Sequence, residues 1–327
     1  MKIAFLNKII IKSIKIILPI SIGLILVVYS FSKISINQIL FYLQKSNPYW
    51  ILLGIFFGTL SHISRSYRWN YLLNPLGYKI TFLNSFFAVF SAYLINFTVP
   101  RAGDVARATI ISKYENIPFD KTLGTVIAER IADLICAFSI ICLAVFLKKE
   151  FIINLISEKF NSMSVFSLFF ISSVIILLII GLNYFFPNLL IKIKVFLKGI
   201  FDGVLTITKM QNRWAFIFHT IFIWVMYVLM FYVTSLSMQE INDISFAPIL
   251  IGFILGMFSI GATNGGIGTY PEAVVIAFSL FSIAEDPSRA FGWIMWSSQT
   301  IMIIIFGGIS LLLLPVYNNH RNKSITN

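Results

Sequence analysis

The sequence predicts an all-α polytopic membrane protein with six full spans and two re-entrant helical hairpins, and three observations carry that prediction. The first is composition: 58% of the 327 residues are hydrophobic and only 12% are charged. With a mean hydropathy of +0.88, too little polar surface remains to cover a soluble domain. The second is a succession of apolar runs near 20 residues, the length that crosses a hydrocarbon core of about 30 Å. The third is that two of these runs end in a Gly- and Pro-containing motif followed by a shorter apolar piece, the pattern of a helix pair that enters the bilayer and turns back. The net charge of +12 does not point to nucleic acid, because the Lys and Arg residues are spread between apolar runs and form no basic face. Positive loops against anionic lipid account for it.

Taken in order, the first span covers 14–32. It follows Lys2, Lys8, Lys12 and Lys15 and imitates a signal peptide, but Ser30 and Ser32 make a weak cleavage site, so an uncleaved span is expected. Ile36, Ile39, Leu40 and Leu43 then form a helical apolar stripe suited to the membrane surface. Pro48, Tyr49 and Trp50 anchor the start of a second span at 49–72. A hairpin at 81–113 precedes a third span at 122–147. The second half repeats the pattern: a span at 164–186, a surface segment with a polar stripe of Lys194, Lys198 and Asp202, and a span at 214–237 behind Arg213 and Trp214. A second hairpin at 246–284 and a last span at 290–314 complete it. The whole chain, 1–327, reads as one transmembrane domain made of repeat A (14–147) and repeat B (164–315), with no soluble domain in the loops or the tail after Leu314.

Charge counting separates re-entrant hairpins from plain crossings, because the two assignments put the same loops on opposite sides. With both hairpins re-entrant and the N-terminus inside, 18 Lys and Arg face the inside and six face the outside, Arg289 among the six. With both segments crossing fully, the two sides hold 12 each. The positive-inside rule selects the re-entrant arrangement, with both termini cytoplasmic. The halves then enter from opposite sides, an inverted-topology repeat.

Charge at membrane depth costs about 2.5 to 3.5 kcal/mol per Arg or Asp and marks substrate or ion paths. The first such group is PRAGDVAR, Pro100 to Arg107. Arg101 and Arg107 offer planar donors to a phosphate, and Asp104 suits the start of a short helix; a simple brace between Arg101 and Asp104 is the alternative. In the third span, ERIAD sets Glu129 and Asp133 four residues apart on one face, around Arg130. Its surplus of negative charge suits pairing with Arg101 or Arg107, a cationic headgroup, a coupled proton, or an internal salt-bridge network. The third group, NGGIGTYPE, has Asn264 and three glycines, Gly265, Gly266 and Gly268, whose backbone can approach a ligand closely. Pro271 at N1 and Glu272 follow in the first helical turn. Exposed donors there suit an anion, Glu272 a cation or proton, and close helix packing explains the glycines equally well. Arg65, Arg68 and Trp69 end the second span, where snorkelling to headgroups is the expected role and substrate contact by Arg68 the alternative. His62 and His219 read as core histidines, and Cys136 and Cys142 as buried apolar fillers too far apart for a disulfide. No metal or cofactor site is expected.

At PRAGDVAR, ERIAD and NGGIGTYPE together the chain resembles the lysylphosphatidylglycerol synthase transmembrane family, also called flippase-like or UPF0104, over nearly its whole length. The resemblance implies a module that moves lipid between leaflets, without the soluble domain that performs aminoacyl transfer. It places Arg101, Asp104, Arg107, Glu129, Arg130, Asp133, Gly265, Gly266, Gly268 and Glu272 at the motif positions. The expected function is therefore a flippase or translocase for a phosphate-bearing lipid, aminoacylated or polyprenyl-linked, in a bacterial cytoplasmic membrane. The expected partner is a membrane lipid with an anionic or phosphate-bearing headgroup; no nucleic acid is expected, and the sequence gives no oligomeric state. An ion-coupled transporter of a small anion is the alternative. A membrane enzyme is disfavoured, since only three histidines exist and residues 33–48 lack Asp and Glu.

Overall fold

A computed structural model describes residues 20–99, 102–147 and 210–326, together with Lys149 and Ser157. The described residues form helices and connections. The chain opens with α1 (Ile20–Lys33) and α2 (Ile36–Lys45), followed by α3 (Pro48–Leu73), α4 (Phe82–Thr98), α5 (Gly103–Glu115) and α6 (Phe119–Leu147). The second half supplies α7 (Arg213–Ser235), α8 (Phe246–Ala262), α9 (Thr269–Ser279) and α10 (Glu285–Thr326).

Local chemistry sets the ends. Ser35 and Gln38 form a reciprocal capping box at the start of α2. Asn47 caps α3, with Pro48 at the position where a missing N–H costs nothing. Thr81 caps α4, and Asn116 closes α5 in the left-handed conformation at φ +54°.

Three described helices, α6, α7 and α10, are long and apolar enough to cross a membrane, and a fourth crossing results if α1 and α2, bent by 76°, count as one. The chain is an integral membrane protein, and its outward faces fit: Phe138, Phe146, Trp214 and Leu312 are exposed apolar side chains. The expected span at 49–72 forms as the single helix α3, but its second half carries His62, Arg65 and Arg68. The expected span at 164–186 and the Lys194, Lys198 and Asp202 stripe lie outside the described residues. The expected end of the last span at Leu314 is passed without a break: α10 continues through Pro315, which removes only one ladder hydrogen bond.

The two segments read as hairpins, 81–113 and 246–284, each form two helices. α4 ends at Thr98 and α5 starts at Gly103, α8 ends at Ala262 and α9 starts at Thr269, and the two members of each pair pack on each other. One apolar core joins α7, α8, α9 and α10; Phe278 stacks on Phe291 at 5.8 Å and Phe231 meets Phe291 edge-on at 5.1 Å. A second core, with Trp69, Ala88, Ala108, Ile111 and Val126, holds the first hairpin between α3 and α6. Small residues let the long pair α3 and α7 approach: a Cβ at Gly54 would lie 2.2 Å from the Thr234 hydroxyl.

Candidate functional site

The first hairpin is tight at its tip, and this fixes where its charges go. The Gly103 N–H donates to Asn96 Oδ1 at 2.8 Å, and a Cβ at Gly103 would lie 2.3 Å from the Ala92 carbonyl. Only glycine permits that crossing, and it carries Asp104 and Arg107, on the first turns of α5, over to α6. Arg107 is buried there between the face of Trp69, 4.4 Å from the ring centre, and Glu129 Oε2, to which its Nη2 donates. Arg130, four residues from α6 Val126 in the same helix, turns to the hairpin instead and grips Asp104 with two hydrogen bonds of 2.9 and 2.5 Å.

α3 completes the cluster. Arg65 Nη1 donates to Asp133 Oδ2 at 2.7 Å. Arg68 Nη1 donates to Asp133 Oδ1 at 2.8 Å and to the Thr220 hydroxyl of α7 at 3.1 Å, and its Nε lies 3.4 Å from Glu129 Oε1 as an ion pair without hydrogen-bond geometry. Trp69 donates to the Thr125 hydroxyl at 2.8 Å and seals the floor. Arg65 and Arg68 are thus wholly buried and do not snorkel. They turn inward because Glu129 and Asp133 would otherwise sit uncompensated in an apolar interior.

The electrostatic sign of the site also differs from the sequence expectation. ERIAD by itself has surplus negative charge, whereas the assembled cluster sets Arg65, Arg68, Arg107 and Arg130 against Asp104, Glu129 and Asp133, a net charge of +1. Its donors are not all used. Arg65 Nε, Arg68 Nη2 and Arg107 Nε and Nη1 are buried without a hydrogen-bond partner. Buried donors that no group answers cost about 1 to 3 kcal/mol each, more when charged, and among the described residues nothing answers these four nitrogens. Arg107, with Tyr93, Asn96, Asp104 and Arg130, lines a small, half-open cleft walled by Val89 and Ala92. The pair at the mouth, Asp104 and Arg130, is partly exposed, at 37% and 40% of their side chains, while Arg107 behind it is buried. Arg101 lies outside the described residues.

NGGIGTYPE builds a second cluster. Gly265, Gly266 and Gly268 take φ of +65°, +82° and +68°, the left-handed region that favours glycine. The Gly265 carbonyl accepts from Trp296 Nε1 at 2.7 Å, and a Cβ at Gly265 would lie 2.5 Å from the Phe97 ring. The last turn of α4 and the connection between α8 and α9 therefore touch through Phe97 and Gly265. Asn264 is buried, with Oδ1 unpartnered. α9 starts at Thr269, so Pro271 is its third residue rather than its first. Glu272 does not join the arginine cluster: it accepts from Arg289 Nε at 2.9 Å, and Arg289 Nη2 reaches Glu285 Oε2 at 3.3 Å. Arg289, counted by sequence among the outer loop charges, is buried on α10.

Sequence reasoning also missed Tyr93, Asn96 and Thr220. The polar run Ser61, His62, Ser64, Arg65, Ser66, Arg68 was the available signal, since so many polar residues in one apolar helix need internal partners. His62 is a core histidine packed against Phe90 and Tyr93, and His219 Nδ1 pairs with the Ser64 hydroxyl at 2.8 Å. Cys136 is part-buried and packs against the core of α7 to α10, whereas Cys142 is exposed and is not a buried filler. Among the described residues no three His, Cys, Asp or Glu side chains assemble as a metal site.

An all-helical membrane protein with an arginine-rich ion cluster buried at a helix break is the class these features define. Residues 16–307 match the lysylphosphatidylglycerol synthase TM region family, and the chain belongs to it. It is also 26% identical over 315 residues to a UPF0104 membrane protein of Methanocaldococcus jannaschii, covering 86% of this chain and 89% of that protein.

Proposed function

We propose that the protein is a flippase-like lipid translocase that moves a phosphate-bearing lipid between leaflets without making or breaking covalent bonds. The observation that carries this reading is Arg107: buried, lining the cleft, and with Nε and Nη1 unpaired. A phosphate oxygen entering past Asp104 and Arg130 would meet both free N–H groups, and each charge-assisted hydrogen bond is worth about 1.5 to 3 kcal/mol. The net positive cluster favours an anion over the cationic headgroup that ERIAD alone allowed. Membership of a family named for the transmembrane region of a lipid synthase supports a lipid substrate.

In this reading both helix pairs are re-entrant, the chain has six spans with cytoplasmic termini, and the acyl chains stay in lipid while the headgroup passes the touching tips. The membrane is a cytoplasmic one; with an archaeal relative, it need not be bacterial. The test is reconstitution in vesicles carrying a headgroup-labelled phospholipid, with leaflet exposure read by a membrane-impermeant quencher. Wild type is expected to expose the label, and Arg101→Ala, Arg107→Lys and Glu129→Gln to slow it by roughly tenfold or more; in Arg107→Lys the ammonium keeps the charge but lacks the planar fork that spans Glu129 and a phosphate. Wild-type rates in all three variants sink the proposal. Uptake of labelled inorganic phosphate without lipid movement transfers the site to a soluble anion.

A further inference from the structure

The end of α10 is attached to the first hairpin by a polar tie that the proposed transport does not use. Asn318 and Asn84 exchange two hydrogen bonds, of 3.0 and 2.7 Å, across 234 residues of sequence. Beside them Glu115, at the last turn of α5, accepts from the Thr81 N–H at 2.9 Å, the Thr81 hydroxyl at 2.7 Å and Asn84 Nδ2 at 2.7 Å. Its other oxygen takes Arg321 Nη1 at 2.8 Å. One carboxylate thereby holds the start of α4, the end of α5 and the end of α10 together.

The rest of the α10 and α4 contact has a different character. Farther up, a Cβ at Gly307 would lie 2.8 Å from Leu94 Cβ and 2.9 Å from the Phe90 carbonyl, and Phe90 packs on Phe306 with ring centres 5.2 Å apart. That contact is apolar and backbone-close, a fixed point. Between it and the polar tie stands Pro315, inside the helix, where the hydrogen-bond ladder is already interrupted and bending costs least. The far contact has one ring pair, Tyr317 edge-on to Phe87 at 6.1 Å; the rest is hydrogen bonds among the buried Asn84, Asn318 and Glu115, worth about 0.5 to 1.5 kcal/mol net apiece, and an ion pair whose arginine is 32% exposed. Once the end of α10 lifts away, water can satisfy the polar groups it leaves; nothing replaces the Gly307 contact.

We infer that α10 beyond Pro315 is a releasable interlock on the first hairpin: engaged at Glu115 and Asn84 it fixes α5, and with it Asp104 and Arg107, while release about Pro315 frees the hairpin to move. This rests on the proposed transport only for what the movement accomplishes. Because α5 carries Glu115 on its last turn and Asp104 and Arg107 on its first turns, whatever holds one end sets the position of the other.

Two measurements on the full chain in lipid nanodiscs test the interlock. In hydrogen exchange, Glu115→Gln and Asn318→Ala are expected to speed exchange across Gly103–Glu115 by roughly tenfold or more, with the α3 and α7 pair unchanged. In the second, Asn84→Cys with Asn318→Cys, on a background of Cys136→Ser and Cys142→Ser, is joined by a short reducible bis-thiosulfonate. The tether is expected to slow α5 exchange and to halt headgroup exposure until it is reduced. Unchanged α5 exchange in both single variants, or tethered protein that exchanges in α5 and moves headgroups like the untethered form, overturns the interlock. If the single variants loosen α3 and α7 as well, they report unfolding, and the tether alone decides. If the exchange responses hold but no variant, tethered or free, moves lipid, the interlock stands and the flippase reading falls.

Discussion

At the residue scale the structure is governed by charges that have nowhere to go but to each other. Arg289 is the simplest case. It is 2% exposed in its side chain and holds Glu272, itself nearly buried, so Arg289→Met is expected to leave a carboxylate unpaired and cost about 3 to 5 kcal/mol. Thermal unfolding in detergent should show that loss, and adding Glu272→Gln should recover most of it; if the second change recovers none of the loss, the unpaired carboxylate is not its cause. Glu115 gives a pH signature. Burial alone pushes its carboxyl up, but the hydrogen bonds from Thr81, Asn84 and Arg321 outweigh that and hold it below its ordinary value of 4.5. A depressed folded-state value means the carboxylate stabilises the fold above the unfolded value and ceases to as pH falls through the folded one. The melting difference between wild type and Glu115→Gln should therefore stay constant from neutral pH down to about 4.5 and shrink below it. A difference that grows with acid would contradict the bonding around Glu115.

At the element scale, the hairpin tips make the sharpest demand. Gly265 combines a positive φ with a Phe97 ring where a Cβ would stand. Gly265→Ala is expected to cost about 1 to 3 kcal/mol, and pairing it with Phe97→Ala should relieve the steric part but not the backbone part. Equal melting temperatures for single and double variants would show that the tips do not press on each other. This scale is also where the sequence was most informative. The apolar run at 49–72 became Pro48–Leu73, that at 122–147 became Phe119–Leu147, and the run at 214–237 became Arg213–Ser235, because length, apolarity and caps are local properties. The breaks after Thr98 and Ala262 were legible for the same reason. The partners were not. Arg68 meets Asp133 across 65 residues, and Arg289 meets Glu272 across a turn whose path no local rule gives. The motif residues Glu129, Asp133 and Arg107 were recognisable as unusual; that Arg65 and Arg68 would answer them, and reverse the sign of the cluster, depended on how α3 packs.

On the scale of the whole molecule, the bend between α1 and α2 supplies a depth gauge. α2 leaves Ile36, Leu40, Phe41 and Leu43 exposed beside Lys45, the profile of a helix lying flat in the headgroup region, and α3 departs from that level at Pro48. Arg65 and Arg68 follow after about 26 and 30 Å of helix, at 1.5 Å per residue, which equals the thickness of a hydrocarbon core. With the proposed topology and α3 upright in it, the arginine cluster would stand close to the phosphates of the leaflet opposite α2. A headgroup arriving there needs little vertical travel to reach Arg107; its long journey begins only after capture.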